Sequence, residues 1–438
     1  MIDTSAGTTT NPSAARTAAV LADLGPLLPE LQDVYRDLHR HPELSRHERR
    51  TAAIVARRLT DAGYEVTTGV GGTGVVGFLR NGNGPCVLLR GDMDALPVEE
   101  RTGLPYASTV RAVNATGGEV PVMHACGHDM HITALLGAAT LLGRARAYWH
   151  GTVMIVAQPS EEEPSGARDM LADGLYQRFG RPDVAFAQHI APLPAGTIGH
   201  RGDTLLLACE QLTVRLHGTG GHGSAPHTTI DPVLMAANVI TRLQSVVSRH
   251  VDPTRTAVVT VGSVHAGSKA NIIPDHADLA ISTRADSDDL QRDLRLAIER
   301  IVRGEAQCCE TPREPEVISA GRLPLTRNDP DTTAAVQAAH RAHFGTTRVA
   351  ELPTPGSASE DFGEFGLPGT EMPIPTVMWL IGATAPETFA AAPGRTIQEK
   401  LAHVPSNHSA LFAPDLEPTL HTCVEAMTIA ALTSLDAG

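Results

Sequence analysis

Apolar side chains recur at helical spacing at Leu31, Val34, Tyr35 and Leu38, and this pattern predicts a helix. The pair Ser45-x-x-Glu48 then predicts a capping box opening a second helix to about residue 62. Beyond it the period changes. Segments 64–68, 74–80 and 85–90 read as strands, and Asn81-Gly82-Asn83-Gly84 predicts a hairpin between the last two. Helix 128–144, strand 152–157, a short helix near 167–173 and strand 183–189 follow. Strands alternating with helices argue for an α/β layer with a central, largely parallel sheet flanked by helices.

From about residue 207 the order is strand 209–217, a Gly-rich turn, helix 231–249, strands 255–265 and 276–284, and helix 287–303. This compact α+β stretch carries no metal-type cluster of its own and reads as an insertion. The chain then returns to helix 331–344, strand 375–381 and helix 416–435. The expected organisation is a disordered segment over 1–24, a discontinuous domain over 25–206 and 325–438, and an inserted domain over 207–324. No internal repeat is evident.

Length and charge narrow the picture. A chain of 438 residues suits two or three domains. A formal charge of -14 without a Lys/Arg block excludes nucleic acid and anionic membranes as expected partners. With aromatics at 3%, the core is expected to be aliphatic. Six cysteines, scattered except for the pair Cys308 and Cys309, are expected to be reduced. Asp23, Gly25 and Pro26 interrupt the one apolar stretch near the start, so no cleaved signal is expected and the cytoplasm is the default.

Candidate chemistry gathers at strand ends. Strand 85–90 runs into Asp92 and Asp94, just past a carboxyl end, where open α/β sheets build sites. In His124-Ala125-Cys126-Gly127-His128-Asp129, Cys126 and His128 would point to different faces of a helix and converge only in extended backbone. Alone, such a run is more commonly a buried thiol beside a surface histidine. Strand 152–157 leads to Glu161, Glu162 and Glu163, which alone read as a solvated charge run. Strand 183–189 ends on His189, and His408 sits in a late loop. Taken together, three strands deliver Cys, His or carboxylate donors to one sheet edge or the loops beyond it. Two metal ions sharing a bridging ligand need about five or six such donors, and a nearby carboxylate must take the proton of an activated water. Gly218-Thr219-Gly220-Gly221-His222-Gly223 matches a dinucleotide-binding pattern, but no acid lies between Pro232 and Val251 to hold a ribose. Zincin, zinc-ribbon and serine-hydrolase motifs are absent from the sequence.

The sequence resembles the M20 metallopeptidase family, in particular its amidohydrolase subgroup of hippurate hydrolases, N-acyl-amino-acid amidohydrolases and plant auxin-conjugate hydrolases. The likeness runs over about 31–431. Its landmarks fall in order: His39-Arg40-His41-Pro42-Glu43, Asp92-Met93-Asp94, the run from His124, Glu161-Glu162, Gly220-Gly221-His222, Asn271-Ile272-Ile273-Pro274, Ser359-Glu360-Asp361-Phe362 and His408. The resemblance implies two divalent ions (Zn, Mn, Co or Ni) held by Cys126 as the bridge and by His128, Glu162, His189 and His408, with Glu161 as general base. It implies a lid with a four-stranded antiparallel sheet and two helices, through which the chain forms a homodimer. His222 would then reach the partner's site and polarise the scissile carbonyl, Asn271 and Arg284 would hold the substrate carboxylate, and Asp94 would orient a ligating imidazole. The implied activity is hydrolysis of N-acyl amino acids, small-molecule substrates. Two departures stand out: Glu163 where the family has glycine, and a long stretch over 383–406 whose His403 competes with His408 as ligand.

Overall fold

The computed structural model describes residues 12–163 and 165–438, which fall into two units. The first takes the described residues through Asp203 together with Arg327–Pro353 and Asp361–Gly438; the second takes Thr204–Thr326 and Thr354–Glu360. In chain order the first unit begins with α1 (Pro12–Leu21), α2 (Leu24–Arg40), α3 (Arg49–Asp61), β1 (Glu65–Val70), β2 (Gly74–Asn81), β3 (Cys86–Asp92), α4 (His128–Arg144), β4 (Trp149–Gln158), α5 (Gly166–Ala172), β5 (Val184–Pro194) and β6 (Ile198–His200). The second contains β7 (Ala208–His217), β8 (Gly221–His222), α6 (Pro232–His250), β9 (Ala257–Ala266), β10 (Ile272–Ile273), β11 (His276–Ala285), α7 (Asp288–Cys308) and β12 (Glu316–Leu323). The chain returns with α8 (Pro330–Phe344), β13 (Val349–Glu351), β14 (Thr376–Thr384), α9 (Leu416–Ser434) and β15 (Asp436–Ala437).

The first unit is built on a nine-stranded mixed sheet, ordered β1-β2-β4-β3-β5-β14-β6-β13 with β15 beside β4. Its centre, β4-β3-β5-β14, is parallel. Helices cover these strands, so they read as nearly unbroken apolar runs rather than alternating ones. Val87, Leu88 and Leu89 of β3 are fully buried, and each such side chain contributes roughly 1.5–3 kcal/mol of burial. Helix α4 is buried along almost its whole length and packs on α9 and α2.

Three expectations are overturned. The Asn81-Gly82-Asn83-Gly84 turn does not close a hairpin, because β4 lies between β2 and β3, antiparallel to one and parallel to the other. The glycines instead let the connection pass tightly over the start of β4: a Cβ on Gly84, at φ +144°, would sit 3.0 Å from the Gly151 Cα. The capping box is not formed either. Helix α3 receives no cap from Ser45 or Glu48; Glu43 takes that role from a distance, accepting from the Arg50 and Thr51 amides at 2.9 and 2.8 Å. Finally, of the segment expected to be disordered, residues 1–11 lie outside the described residues, while 12–21 are helical. There Val20 is buried and Arg16 donates to the Leu432 and Leu435 carbonyls at the end of α9, and that packing outweighs a weak local preference.

The second unit is a four-stranded antiparallel sheet, β9-β11-β7-β12, with α6 and α7 on one face. Strict alternation in β7 puts Leu212, Val214 and Leu216 against Met235, Val239, Leu294 and Ile298. Asp231 and Ser287 cap the two helices through their side chains. Strand β12 escaped the pattern because it is an exposed edge with no clean alternation. A strap, Thr354–Glu360, also belongs to this unit, although the sequence division gave it to the other; it is tied by Leu207 N–H to Ala358 O at 3.1 Å and Gly356 N–H to Leu205 O at 2.8 Å.

Candidate metal centre

Strands β4, β3 and β5 are neighbours, and each ends in or passes the same edge of the first unit's sheet. Asp92 closes β3, and the loop after β4 carries Glu161 and Glu162. His189 lies inside the longer β5 rather than at its end, yet the register of Arg90 on Ala187 sets it level with Asp92. Gly127, at φ +87°, turns the chain into α4 and sets Cys126 and His128 on either side of the bend. A Cβ there would lie 2.2 Å from Ile190 Cδ1, so only glycine fits. The His408 loop docks on this bend, its N–H donating to Ala125 O at 2.8 Å, while Asn407 Nδ2 donates to the Cys126 and Ile190 carbonyls.

The result is a contiguous set of donors: Cys126, His128 and His189; Cys126, Glu162 and His408; His128, Glu161 and Glu162. Cys126 Sγ stands 3.4 Å from His189 Nε2, and Glu162 Oε1 stands 3.2 Å from His408 Nε2. His128 Nε2 faces Asp92, Glu161 and Glu162 oxygens at 3.8, 3.9 and 3.9 Å, beyond hydrogen-bonding range. His128 Nε2 is buried without a hydrogen-bond partner, a costly arrangement unless a cation sits between it and the facing oxygens. This donor set therefore fits divalent metal. The opposite ring nitrogens are committed elsewhere, His128 Nδ1 to Asp94 at 3.3 Å and His189 Nδ1 to the Ile190 carbonyl at 2.7 Å, the usual way a ligating imidazole is fixed in tautomer. Burial and the nearby Glu162 push the Cys126 thiol up.

Asp94 is the hub. One oxygen accepts from the Glu161 amide at 3.1 Å and faces His128; the other accepts from the Glu162 amide at 3.0 Å and the Ser45 hydroxyl at 2.7 Å. Asp94 is fully buried, so these bonds tie both glutamate amides and the His128 ring to one carboxylate. Beneath it lies a network the sequence did not announce. Arg90, fully buried, donates to Gln158 at 2.8 Å, Asp92 at 2.6 Å and Asp361 at 3.2 Å. Asp92 also takes His131 Nδ1 at 2.6 Å, and His131 Nε2 accepts the Ile190 N–H at 2.9 Å. His131 and Asp92 thus have their polar atoms engaged within the protein; Asp92 was legible as a strand-end acid, whereas the signal for His131 was its helical i,i+3 spacing from His128.

The remaining candidates separate cleanly. His124 is buried with neither ring nitrogen bonded, and burial lowers it to about 4; it joins no donor group. His403 is exposed at the end of a short helix and also joins none. Glu163 turns away and pairs with Arg46 at 3.1 Å. The long 383–406 stretch folds on itself as two short helices, with Lys400 Nζ donating to the carbonyls of Phe389, Ala390 and Ala392.

Within the second unit, His222 and Asn271 come together. His222 pairs with Ile272, and Gly223 N–H donates to Asn271 O at 2.9 Å. His222 Nδ1 accepts from the Ser224 N–H at 3.1 Å, so the neutral ring carries its proton on Nε2, and both His222 and Asn271 are exposed. Arg284 is elsewhere. It donates to Ser359 near the far end of β11, and the strand between His276 and Arg284 spans about 27 Å at ~3.4 Å per residue.

Relatives match most of the chain. The chain is 37% identical over 338 residues to the hippurate hydrolase of Campylobacter jejuni, covering 77% of this chain and 85% of that protein. It is 33% identical over 398 residues to the N-acetylcysteine deacetylase of Bacillus subtilis, covering 87% and 96%. Its fold matches the crystal structure of a Bacillus subtilis protein described as a dinuclear metal binding peptidase from the M20 family, with a TM-score of 0.72 and 27% identity over 94% of this chain and 99% of that one. The sequence profile of the peptidase family M20/M25/M40 matches residues 88–401. With that profile running through Cys126, His128, Glu161, Glu162 and His189, the chain belongs to the peptidase family M20/M25/M40.

Proposed function

We propose that this protein is a metal-dependent amidohydrolase that cleaves N-acyl amino acids to a carboxylic acid and a free amino acid. The observation that carries the reading is the convergence of Cys126, His128, Glu162, His189 and His408, with the buried His128 Nε2 left unpartnered among them and Glu161 beside them. Cys126 is the one residue common to the group with His128 and His189 and the group with Glu162 and His408, which suits a bridge between two divalent ions; Zn, Mn, Co and Ni all accept this mixture of thiolate, imidazole and carboxylate. Ions bound there would lower the pKa of water from 15.7 to about 7 and polarise the scissile carbonyl. Glu161 takes the proton of the attacking water and returns it to the leaving amine, so that one water is consumed per amide broken. Asp94 fixes the tautomer of His128 and the backbone of both glutamates.

His222, with its Nε2 proton facing solvent, is suited to donate to the oxyanion as charge develops. Arg284 and Asn271 are the expected carboxylate holders. Because Asn271 lies in the segment leading into β11 and Arg284 near that strand's far end, a small substrate meeting both is most readily served by two chains, which supports a homodimer through the second unit with His222 and Asn271 acting in trans. All six cysteines are free thiols, which favours a reducing, cytoplasmic setting; among the described residues no helix is long and apolar enough to cross a membrane.

The test is metal analysis of the purified protein followed by assays on N-acetyl and N-benzoyl amino acids, N-carbamoyl amino acids and dipeptides. About two ions per chain and turnover of the N-acyl compounds are expected. Preferential turnover of dipeptides or N-carbamoyl compounds would overturn the substrate class, and metal-loaded protein that hydrolyses no amide would overturn the enzyme. Mixing Glu161→Gln chains with His222→Ala chains should restore part of the activity that each lacks; no recovery in a confirmed heterodimer would remove the in-trans role.

A further inference from the structure

Three consecutive amides, those of Ser160, Glu161 and Glu162, each donate to a buried carboxylate. Asp94 takes the last two, and Glu48 takes the first, at 2.9 Å. Glu48 is fully buried on the loop before α3 and is itself tethered, accepting from the Arg46 N–H at 3.0 Å and from the Thr73 hydroxyl at 2.5 Å. The residue it grips is strained: Ser160 sits at φ +51°, a left-handed conformation that a non-glycine residue adopts only when its surroundings hold it. The carbonyl of Ser160 is held as well, accepting from the Gly166 N–H at 3.1 Å. Gly166 is required at that crossing, since a Cβ there would lie 1.6 Å from the Pro159 carbonyl oxygen.

We propose that Glu48 is a positioning residue for the general base: by holding the Ser160 amide it maintains the left-handed turn that aims Glu161 and Glu162 into the metal centre. Local sequence makes Glu48 look like a helix cap, but its carboxylate makes no cap bond and reaches the β4 loop instead. Without that anchor, relief of the strain at Ser160 favours rotating the peptide out of the turn, and the two glutamates follow their backbone. The role assigned to Glu161 rests on the hydrolase reading above; the turn itself does not.

The test pairs Glu48→Ala with Ser160→Gly, because glycine adopts positive φ without strain and removes the need for an anchor. Glu48→Ala is expected to lower kcat at least tenfold in the native background, with KM little changed, and to weaken metal binding by about 10- to 100-fold. In the Ser160→Gly background the same substitution should cost less than about threefold in kcat. Glu48→Gln, which keeps an acceptor for the Ser160 amide, should recover most of the loss. Hydrogen exchange on metal-free protein reads the turn independently of activity: Glu48→Ala should speed exchange of the 160–162 amides at least tenfold. Faster exchange in a protein that hydrolyses no amide in either form would fault the hydrolase reading alone. Unchanged exchange, or a kcat loss equal in both backgrounds and tracking only a fall in Tm, would overturn the positioning role.

Discussion

At the residue scale the proposed roles divide into groups that hold metal and one group that reacts. Glu161→Gln keeps the shape of the side chain and leaves the proposed ligands in place, so metal content should stay near native while kcat falls by about 10²–10⁴, the usual weight of a general base. Near-native hydrolysis with both metals bound would move the base elsewhere. Cys126 offers a second discrimination. A carboxylate can also bridge, so Cys126→Asp should retain metal better than Cys126→Ala in equilibrium dialysis; equal losses would reduce Cys126 to a buried thiol. Since the thiol, pushed up by burial and Glu162, must lose its proton to ligate, metal affinity should rise with pH.

At the scale of elements, the site depends on three strand ends and one bend. Gly127→Ala meets both a positive φ and Ile190 Cδ1. It should lower unfolding stability by roughly 2 kcal/mol or more, read as a fall in the denaturation midpoint, and it should disturb Cys126 and His128 together. The helices were largely legible in the sequence: 128–144 was read with the bounds that α4 has, because its apolar run and its acidic first turn are local signals. The glycine-rich turn after β2 was legible as a turn but not as a crossing. Local chemistry demands positive φ at such positions; which strand then inserts between β2 and β3 is decided by long-range pairing with β4.

On the scale of the whole molecule, buried histidines tie stability to pH. His200 and His340 share a hydrogen bond at 2.9 Å in the core of the first unit. Burial holds His340 down to about 4 and His200 lower still. Both rings are neutral when folded but titrate near 6.5 when unfolded, so their contribution is complete above about pH 6.5 and is lost as the pH falls toward 4. His39 has the opposite sign. Burial opposes its charge, but bonds to Asp129 at 2.7 Å and Glu100 at 3.0 Å raise it to about 9. Its contribution is complete below about 6.5 and is lost as the pH rises through 9. Tm of the metal-free protein should therefore fall on both sides of neutrality. In His200→Gln the acid-side loss should shrink while the alkaline loss remains; an unchanged acid slope would exclude the pair.

Sequence alone was enough to nominate Cys126, His128, Glu161, Glu162, His189 and His408 as candidate donors, because they stand near strand ends or in loops in the order of a family pattern. It also determined the α/β alternation and the inserted α+β unit, because periodicity and turn chemistry are properties of neighbouring residues. Tertiary structure alone decided what the second ring of side chains does. Ser45 and Glu48 have the spacing of a cap, yet their side chains reach Asp94 and Ser160, and Glu43, with no cap spacing, supplies the cap. A polar side chain near a helix start has several partners within reach. The one it takes depends on which buried amides would otherwise go unpaired, and that is fixed only when distant segments have packed.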